Sequence, residues 1–308
     1  MNAPDDDLSP HKPVMLDEVI NFIKPGKGDI IVDATIGAGG HSCEILKRIQ
    51  PDGLLIGIDK DAEILKMADR FLSKISDNYK LYQADFADLG CVLEKLKISK
   101  VNGILLDLGV SSLQLDSQDR GFSFNKEGPL DMRMDRTEGI TAEDLLKRLS
   151  EREMADVFWK YGEERKSRRV ARAIKHEQKK GVSINTTTQL AKIAEKALYV
   201  PGKYSKKRKI HPATRIFQAL RIVVNDELKS LEQFLNDACG FLAGGSRIVV
   251  MSFHSLEDRL VKRAFCEGKN AALLEILTKK PLISCDSEIR ENVRSRSAKL
   301  RAAERTYL

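Results

Sequence analysis

The chain has 308 residues, of which 42% are hydrophobic and 31% are charged, and its formal net charge is +7. This length and composition are typical of a globular protein of about two domains, and they exclude collagen-like, wholly disordered and disulfide-scaffold proteins. The longest apolar runs are far shorter than the ~20 residues that span a bilayer, so we predict no membrane partner.

The N-terminal segment and the cysteines favour a cytoplasmic protein. Residues 1–11 contain three consecutive aspartates and no apolar core, which is typical of neither a secretory signal nor a transit peptide. The five cysteines are widely spaced and never form a CxxC pair, so reduced thiols are expected and a metal site is not.

Positive charge is concentrated in one section of the chain. Residues 160–221 contain 18 Lys or Arg but only 4 Glu. Such a section is either a solvated helical surface or a surface that binds a polyanion, since Lys and Arg that neutralise phosphates dominate non-specific affinity for nucleic acids. The composition slightly favours the second interpretation.

The first third of the chain alternates between strands and helices. Predicted strands cover residues 30–34, 54–58, 79–82 and 103–106, and predicted helices cover residues 43–49 and 62–72. Alternation at this spacing indicates βαβ units, and therefore a parallel sheet.

This alternation stops near residue 113 and resumes about a hundred residues later. Helices are predicted over residues 142–149, 151–159, 164–180 and 187–198, followed by one long helix from Pro212 to about Ala238. A buried strand at 247–253, a helix that begins with a capping box from Ser255 to Asp258, and late strands at 276–283 and 299–306 complete the pattern. We predict an α/β fold with a doubly wound sheet formed by residues 1–112 and 212–308, interrupted by a helical domain at 113–211.

Acidic residues stand at the ends of the four early strands. These residues are Asp33, Asp59, Asp85 and Asp107. Ligands of open parallel sheets bind outside the carboxyl ends of the strands. A glycine-bearing loop starts at Gly37, and Asp59 follows Gly37 by 22 residues, as a ribose-binding acid does. The pattern predicts a cofactor that contains a ribonucleoside.

The choice between a dinucleotide and S-adenosylmethionine depends on two features. Ser42 stands where the GxGxxG fingerprint has its third glycine, which weakens the case for NAD and an oxidoreductase. Asp33 and Asp107 would repel a pyrophosphate, whereas the sulfonium and ammonium groups of S-adenosylmethionine are cationic. The electrostatics therefore favour S-adenosylmethionine, and the intact loop argues against a purely RNA-binding protein.

Several motifs resemble those of the bacterial 16S ribosomal RNA cytosine-N4 methyltransferases. They cover residues 11–18, 39–42, 107–112, 120–124, 128–135, 161–165, 211–215 and 252–259. The resemblance implies a class I methyltransferase domain with a helical insertion. It also implies methylation of a cytidine N4 in the decoding region of 16S ribosomal RNA, with that RNA or the small ribosomal subunit as partner. Ile36 and Ala38 depart mildly from the family pattern.

The resemblance also implies the residues that contact S-adenosylmethionine. They are Gly39, Gly40, His41, Asp59, Phe86, Asp107 and Gln114. In this assignment Asp59 would accept hydrogen bonds from the ribose hydroxyls and Phe86 would flank the adenine.

The catalytic residues stay open at this point. The Asp-Pro-Pro-aromatic motif of many amino-group methyltransferases is absent after the fourth strand, so Asp107 either serves only the cofactor or also polarises the target amine. His254 is the second candidate, against the alternative of a histidine packed beside a helix start. Phe122 and Phe124 are candidates for contacting a flipped base, whereas we expect Trp159, the only tryptophan, to lie in the core rather than to serve as a base-stacking platform.

The basic section supplies the predicted RNA-binding residues. These are Arg165, Arg168, Arg169, Arg172, Lys206, Lys207, Arg208, Lys209 and Arg215. The sequence leaves the oligomeric state open between a monomer and a homodimer.

Overall fold

The computed structural model describes residues 13–199 and 211–307, and these divide into two compact units. The sheet unit contains the described residues up to Gly109 and those from Leu228 onward. The helical unit is Val110–Glu227. Each unit has its own core and is considered by itself.

Seven strands form the single sheet of the sheet unit. They are β1 (Ile30–Asp33), β2 (Leu54–Asp59), β3 (Tyr79–Gln83), β4 (Val101–Asp107), β5 (Leu242–Ser252), β6 (Leu274–Ile276) and β7 (Lys299–Arg305). Their spatial order is β3-β2-β1-β4-β5-β7-β6, with β1 to β5 parallel and β7 antiparallel to both of its neighbours. The chain moves outward from β1 to β3 and returns on the other side of β1 with β4, so the topological switch point lies between β1 and β4. The predicted doubly wound α/β fold is confirmed.

The described residues also form thirteen α-helices. They are α1 (Leu16–Ile23), α2 (Gly40–Ile49), α3 (Ala62–Leu72), α4 (Leu89–Leu96), α5 (Ser112–Asp116), α6 (Ala142–Arg148), α7 (Glu151–Lys160), α8 (Ser167–Lys179), α9 (Thr187–Leu198), α10 (Thr214–Val224), α11 (Glu227–Phe241), α12 (Ser255–Asn270) and α13 (Asp286–Glu291). Among the described residues, we find no helix of the length and apolarity needed to cross a bilayer.

Both faces of the sheet are buried, which explains why its central strands read as continuous apolar runs. Val32 and Ile104 face one layer, which α4, α11 and α12 cover. Ile31 and Leu105 face the opposite layer, which α1, α2 and α3 cover. Because these strands are held from both sides, the residues at their carboxyl ends have a rigid base.

The predicted long helix from Pro212 is instead two helices, α10 and α11. Asp226 between them has a left-handed backbone with φ of 53°. The side-chain amide of Asn225 donates hydrogen bonds to the carbonyl oxygens of Met132 and Arg221, at 2.8 and 2.9 Å, and thereby ties the end of α10 to a loop of the helical unit. The sequence did not reveal this break, because the apolar residues of α10 and α11 continue at spacings of three or four across it.

The return to the sheet therefore comes one helix later than the sequence indicated. The buried face of α10, with Ile216 and Leu220, packs in the core of the helical unit beside Phe158 and Ile174. The units separate after Glu227, whereas the sequence placed the return at Pro212.

Two further expectations in the C-terminal region are wrong. The strand expected at 276–283 is the three-residue β6, because Pro281 cannot donate to a ladder and only Leu282 makes an isolated bridge beyond β6. The capping box of α12 runs from His254 to Glu257, one residue earlier than the predicted pair.

Candidate functional site

Three acidic residues end neighbouring strands at the switch point. Asp33, Asp59 and Asp107 are the last residues of β1, β2 and β4, which lie side by side in the order β2-β1-β4. Parallel strands bring their carboxyl ends to one edge, so the structure assembles there what the sequence distributes over 75 positions.

The loop after β1 depends on glycine for its backbone conformation. Gly37 has φ of 53° and Gly39 has φ of 87°, both in the left-handed region that side chains other than glycine rarely adopt. Gly39 is the N-cap of α2 and provides no side-chain cap, and the first turn of α2 contains no acidic residue. The backbone N–H groups at this helix start can therefore bind a carboxylate ligand.

Asp59 is oriented by two backbone hydrogen bonds. Its Oδ2 accepts the N–H of Gly37 at 3.0 Å, and its Oδ1 accepts the N–H of Asp61 at 2.9 Å. A carboxylate oxygen can accept more than one hydrogen bond, so these two bonds do not prevent Asp59 from accepting a ribose hydroxyl. Asp59 therefore links the loop after β1 to the end of β2.

Asp33 and Ser42 form a buried pair below the loop. The Ser42 hydroxyl donates to Asp33 Oδ2 at 2.7 Å, and Asp33 is 2% exposed. Burial raises the pKa of Asp33 to about 6, against the lowering effect of the hydrogen bonds from Ser42 and Thr35. Ser42 occupies the position of the missing third glycine, and its role as a hydroxyl donor was not predicted.

His41 is a neutral, buried histidine with one uncommitted nitrogen. Its Nε2 lies 2.9 Å from the carbonyl oxygen of Val14, which can only accept, so Nε2 carries the hydrogen. Burial lowers the pKa of His41 to about 4. The unprotonated Nδ1, a hydrogen-bond acceptor, lies 3.6 Å from Asp107 Oδ2.

Asp107 is the third group at this edge whose pKa is shifted. Burial raises its pKa well above the ordinary value, and the negative charges of Asp33 and Glu257 raise it further. Its Oδ1 is buried and has no hydrogen-bond partner among the described residues, although 27% of the Asp107 side chain is exposed. A buried acceptor without a partner is costly, so this atom indicates a missing donor.

Phe86 and its neighbours border the same edge after β3. Asp85 Oδ1 accepts the N–H of Ala87 at 3.0 Å, and Lys60 Nζ lies 2.7 Å from Asp85 Oδ2. Phe86 is half-buried and meets the ring of Phe234 edge-on, with 5.9 Å between centroids. This arrangement suits a residue that flanks a planar group on its open side.

Gln114 belongs to the helical unit and makes a local contact there. It is 3% exposed, and its Oε1 accepts the N–H of Ser111 at 3.0 Å, which completes a capping box at the start of α5. Its assignment to the cofactor stays a prediction.

The structure gives His254 a capping role. Its Nδ1 accepts the N–H of Glu257 at 3.3 Å, and its Nε2 lies 3.1 Å from Glu257 Oε1. Glu257 Oε2 in turn accepts the N–H of Phe253 at 2.8 Å. Both ring nitrogens therefore face one buried glutamate at the start of α12. His254 Nε2 is nevertheless buried without a hydrogen-bond partner among the described residues, and the catalytic role of His254 stays a prediction.

The aromatic candidates are arranged differently from what the sequence suggested. Phe122 is 6% exposed in the core of the helical unit. Phe124 stacks on His211 at 4.4 Å and meets Phe217 edge-on at 5.1 Å, so its ring is also occupied. Trp159 is 59% exposed, and the expectation of a core residue is wrong.

The predicted RNA-binding arginines lie on the surface of the helical unit. Arg165, Arg168, Arg169 and Arg172 are exposed, and of these Arg172 pairs with Glu151 at 3.5 Å. Arg215 donates to the carbonyl oxygen of Glu163 at 3.2 Å. The cluster Lys206 to Lys209 lies outside the described residues, so its role stays a prediction.

The profile of the MraW methylase family matches residues 8–306. The chain belongs to the MraW methylase family. It is 50% identical over 296 residues to the ribosomal RNA small subunit methyltransferase H of Thermotoga neapolitana, and the match covers 96% of this chain and 95% of that protein. It is 46% identical over 317 residues to the protein of the same name from Syntrophus aciditrophicus, and that match covers 98% and 99% of the two chains.

Membership of the MraW methylase family confirms the predicted class of enzyme, a methyltransferase. S-adenosylmethionine is the cofactor, as the strand-end acids and the missing third glycine indicated.

Proposed function

We propose that this protein methylates the exocyclic N4 amine of a cytidine in the decoding region of 16S ribosomal RNA. The observation that supports this most strongly is the family match over residues 8–306, together with relatives named for the small-subunit ribosomal RNA. The electrostatics of the sheet edge are consistent with it, because buried acids with an unpartnered oxygen suit a cationic cofactor and an amine donor.

The residues at the edge fit S-adenosylmethionine in their chemistry. The backbone around Gly39 and Gly40 suits a carboxylate, the Asp59 carboxylate suits ribose hydroxyls, and the half-buried ring of Phe86 suits the adenine. Asp107 Oδ2 and His41 Nδ1, which lie 3.6 Å apart, are acceptors that suit an ammonium group. When bound, S-adenosylmethionine supplies an electrophilic methyl carbon.

Asp107 is the residue that we assign to the target amine. The lone pair of a cytosine N4 is conjugated with its ring, so an enzyme must hold the amine in line and accept its proton. Asp107 ends the strand next to β1, is partly exposed and has an oxygen without a partner among the described residues. An ionised Asp107 would accept an N4 hydrogen bond and then the proton.

In this proposal the RNA substrate binds to the helical unit. Arg165, Arg168 and Arg169 are exposed there and form no ion pair within the described residues. Unneutralised cations of this kind suit RNA phosphates.

An enzyme that acts on ribosomal RNA is expected in the cytoplasm. Sedimentation of the purified chain would distinguish a monomer from a homodimer.

Methyl transfer with a labelled cofactor tests the proposal. Small subunits and naked 16S RNA from a strain that lacks the enzyme are incubated with the protein, and labelled nucleosides are separated and mapped. We expect label in one N4-methylcytidine of the decoding region. Label on another base, on C5 of cytosine or on protein would contradict the proposal.

A further inference from the structure

The single tryptophan of the chain is exposed in the helical unit. Trp159 lies near the end of α7, and 59% of its surface is open. The inward face of α7 consists of Met154, Ala155 and Phe158, which are buried in the unit core. Trp159 instead shares the outer face with Arg152 and Asp156, which precede it by seven and three residues and are also exposed. The ring is an apolar surface surrounded by charged residues.

The next helix begins with cations that nothing in the described part of the chain neutralises. The first turn of α8 has no acidic residue, and its N-cap, Lys166, makes no side-chain cap. Arg165, Arg168 and Arg169 are exposed and have no side-chain hydrogen bond or ion pair among the described residues. Cations are unfavourable at the positive end of a helix dipole, so the arginines at the start of α8 do not stabilise this helix.

The carboxylate of Glu164, next to this turn, is engaged with other partners. Glu164 Oε1 accepts the N–H of Lys166 at 2.8 Å, and Glu164 Oε2 lies 3.9 Å from Arg215. The backbone oxygen of Glu163 accepts from Arg215 at 3.2 Å. The turn between α7 and α8 therefore presents an open aromatic ring at one end and excess positive charge at the other.

We propose that Trp159 is a stacking platform for an unpaired base of the RNA substrate, with the arginines at the start of α8 holding the adjacent phosphates. The proposal rests on the RNA substrate class of the proposed function and assigns the residue that contacts a base. Surfaces that bind single-stranded nucleic acids combine aromatic rings with a positively charged track, because every base has a face that can stack. A protein partner would also cover an exposed tryptophan, but the unneutralised arginines favour a polyanion.

Trp159 provides its own spectroscopic probe, because no other tryptophan contributes to the emission. The full chain is titrated with single-stranded oligocytidylate and, separately, with polyphosphate of matched total charge. We expect quenching with the RNA and little change with polyphosphate, since only a base can stack. Equal quenching by both, or none with RNA that binds, would overturn the proposal.

Substitution separates stacking from charge. Binding of fluorescein-labelled RNA is measured for Trp159→Ala and Trp159→Phe, with Tyr307→Ala as a matched control, because Tyr307 is 86% exposed in the other unit. Trp159→Ala should weaken binding by roughly fivefold or more, at an unchanged salt slope, and Trp159→Phe should retain most of the affinity. Wild-type affinity for Trp159→Ala would contradict the proposal. Circular dichroism and cofactor affinity verify folding.

The emission of Trp159 also distinguishes stacking on RNA from coverage by a second copy of the chain, and from failure of the proposed function. A blue shift of the emission when the protein alone is concentrated would mean that a second copy covers Trp159, and this would overturn it. Because binding is measured without turnover, quenching in the absence of methyl transfer would refute only the proposed function. Methyl transfer without quenching would refute only the platform.

Discussion

The two units of this protein handle charge in opposite ways. The sheet unit buries its functional charges at a rigid edge, where burial shifts the pKa values of Asp33, His41 and Asp107. The helical unit has the arginines that we propose to bind RNA on its surface, where water screens them and their number matters more than their geometry. Single substitutions should therefore have large effects on activity, stability or cofactor binding in the sheet unit. In the helical unit each substitution should weaken RNA binding only slightly, and the effects should accumulate.

The largest effect is expected for Asp107→Asn. The amide has the same size but cannot take a proton, so we expect methyl transfer in single-turnover assays to fall by about a hundredfold or more. Asp258→Asn is the matched control, because Asp258 is a partly buried acid that pairs with Arg301 at 2.7 Å, and its activity should change little. Activity of Asp107→Asn within a few fold of the wild type would remove Asp107 from the chemistry.

Asp33 and His41 should make opposing contributions to the pH dependence of stability in the sheet unit, and the raised pKa of Asp107 adds a contribution of the same sign as that of Asp33. The raised pKa of Asp33, about 6, means that its stabilisation is present below pH 4 and is lost as the pH rises to 6. The lowered pKa of His41, about 4, means that its contribution is lost as the pH falls from 6.5 to 4. Each shift corresponds to about 3 kcal/mol, so the two nearly cancel between pH 4 and 6.5.

Substituting Asp33 or His41 should reveal the pH dependence of stability that the other residue causes. Urea unfolding between pH 4 and 6.5 should show stability that rises with pH for Asp33→Asn and falls with pH for His41→Gln, by comparison with the wild type. Both variants keep a polar group for the local hydrogen bonds, with Ser42 and Val14 respectively. Parallel pH profiles for the two variants would show that these groups do not titrate as described.

Cofactor affinity should depend on Asp59. Charge-assisted hydrogen bonds contribute roughly 1.5–3 kcal/mol each, so Asp59→Ala should weaken binding of S-adenosylmethionine tenfold or more in calorimetry. Asp59→Asn keeps an acceptor for the N–H of Gly37 and should lose less. Unchanged affinity in a folded Asp59→Ala variant would exclude this residue from the site.

The smallest single effects are expected on the helical unit. Arg168→Gln and Arg169→Gln should each weaken RNA binding by a few fold and reduce the salt slope by about 0.7 for each phosphate that is no longer neutralised. Their cofactor affinity should equal that of the wild type. A salt slope that does not change in the double variant would show that this face is merely solvated, and would also weaken the contrast between the units.

Local sequence patterns predicted most helices and strands well. They failed where contacts between residues distant in sequence determine where an element ends or which side chains are buried. Helices α3 and α9 begin and end where their apolar spacing indicated. The break at Asp226 was missed because Asn225 is held by Met132, a residue 93 positions away. Trp159 was misplaced for a related reason: a tryptophan's burial depends on which face of its helix the neighbouring helices cover.

The sequence by itself determined the fold class, the order of the strands along the chain and the acids at their ends, because these depend on periodicity and on turn residues. It also indicated the cofactor, through Ser42 and the strand-end carboxylates. Only the tertiary structure decided which groups are perturbed: the neutral His41, the raised pKa of Asp33 and the buried oxygen of Asp107. Burial and the distance between charges set these properties, and both arise only when strands far apart in sequence end at one edge.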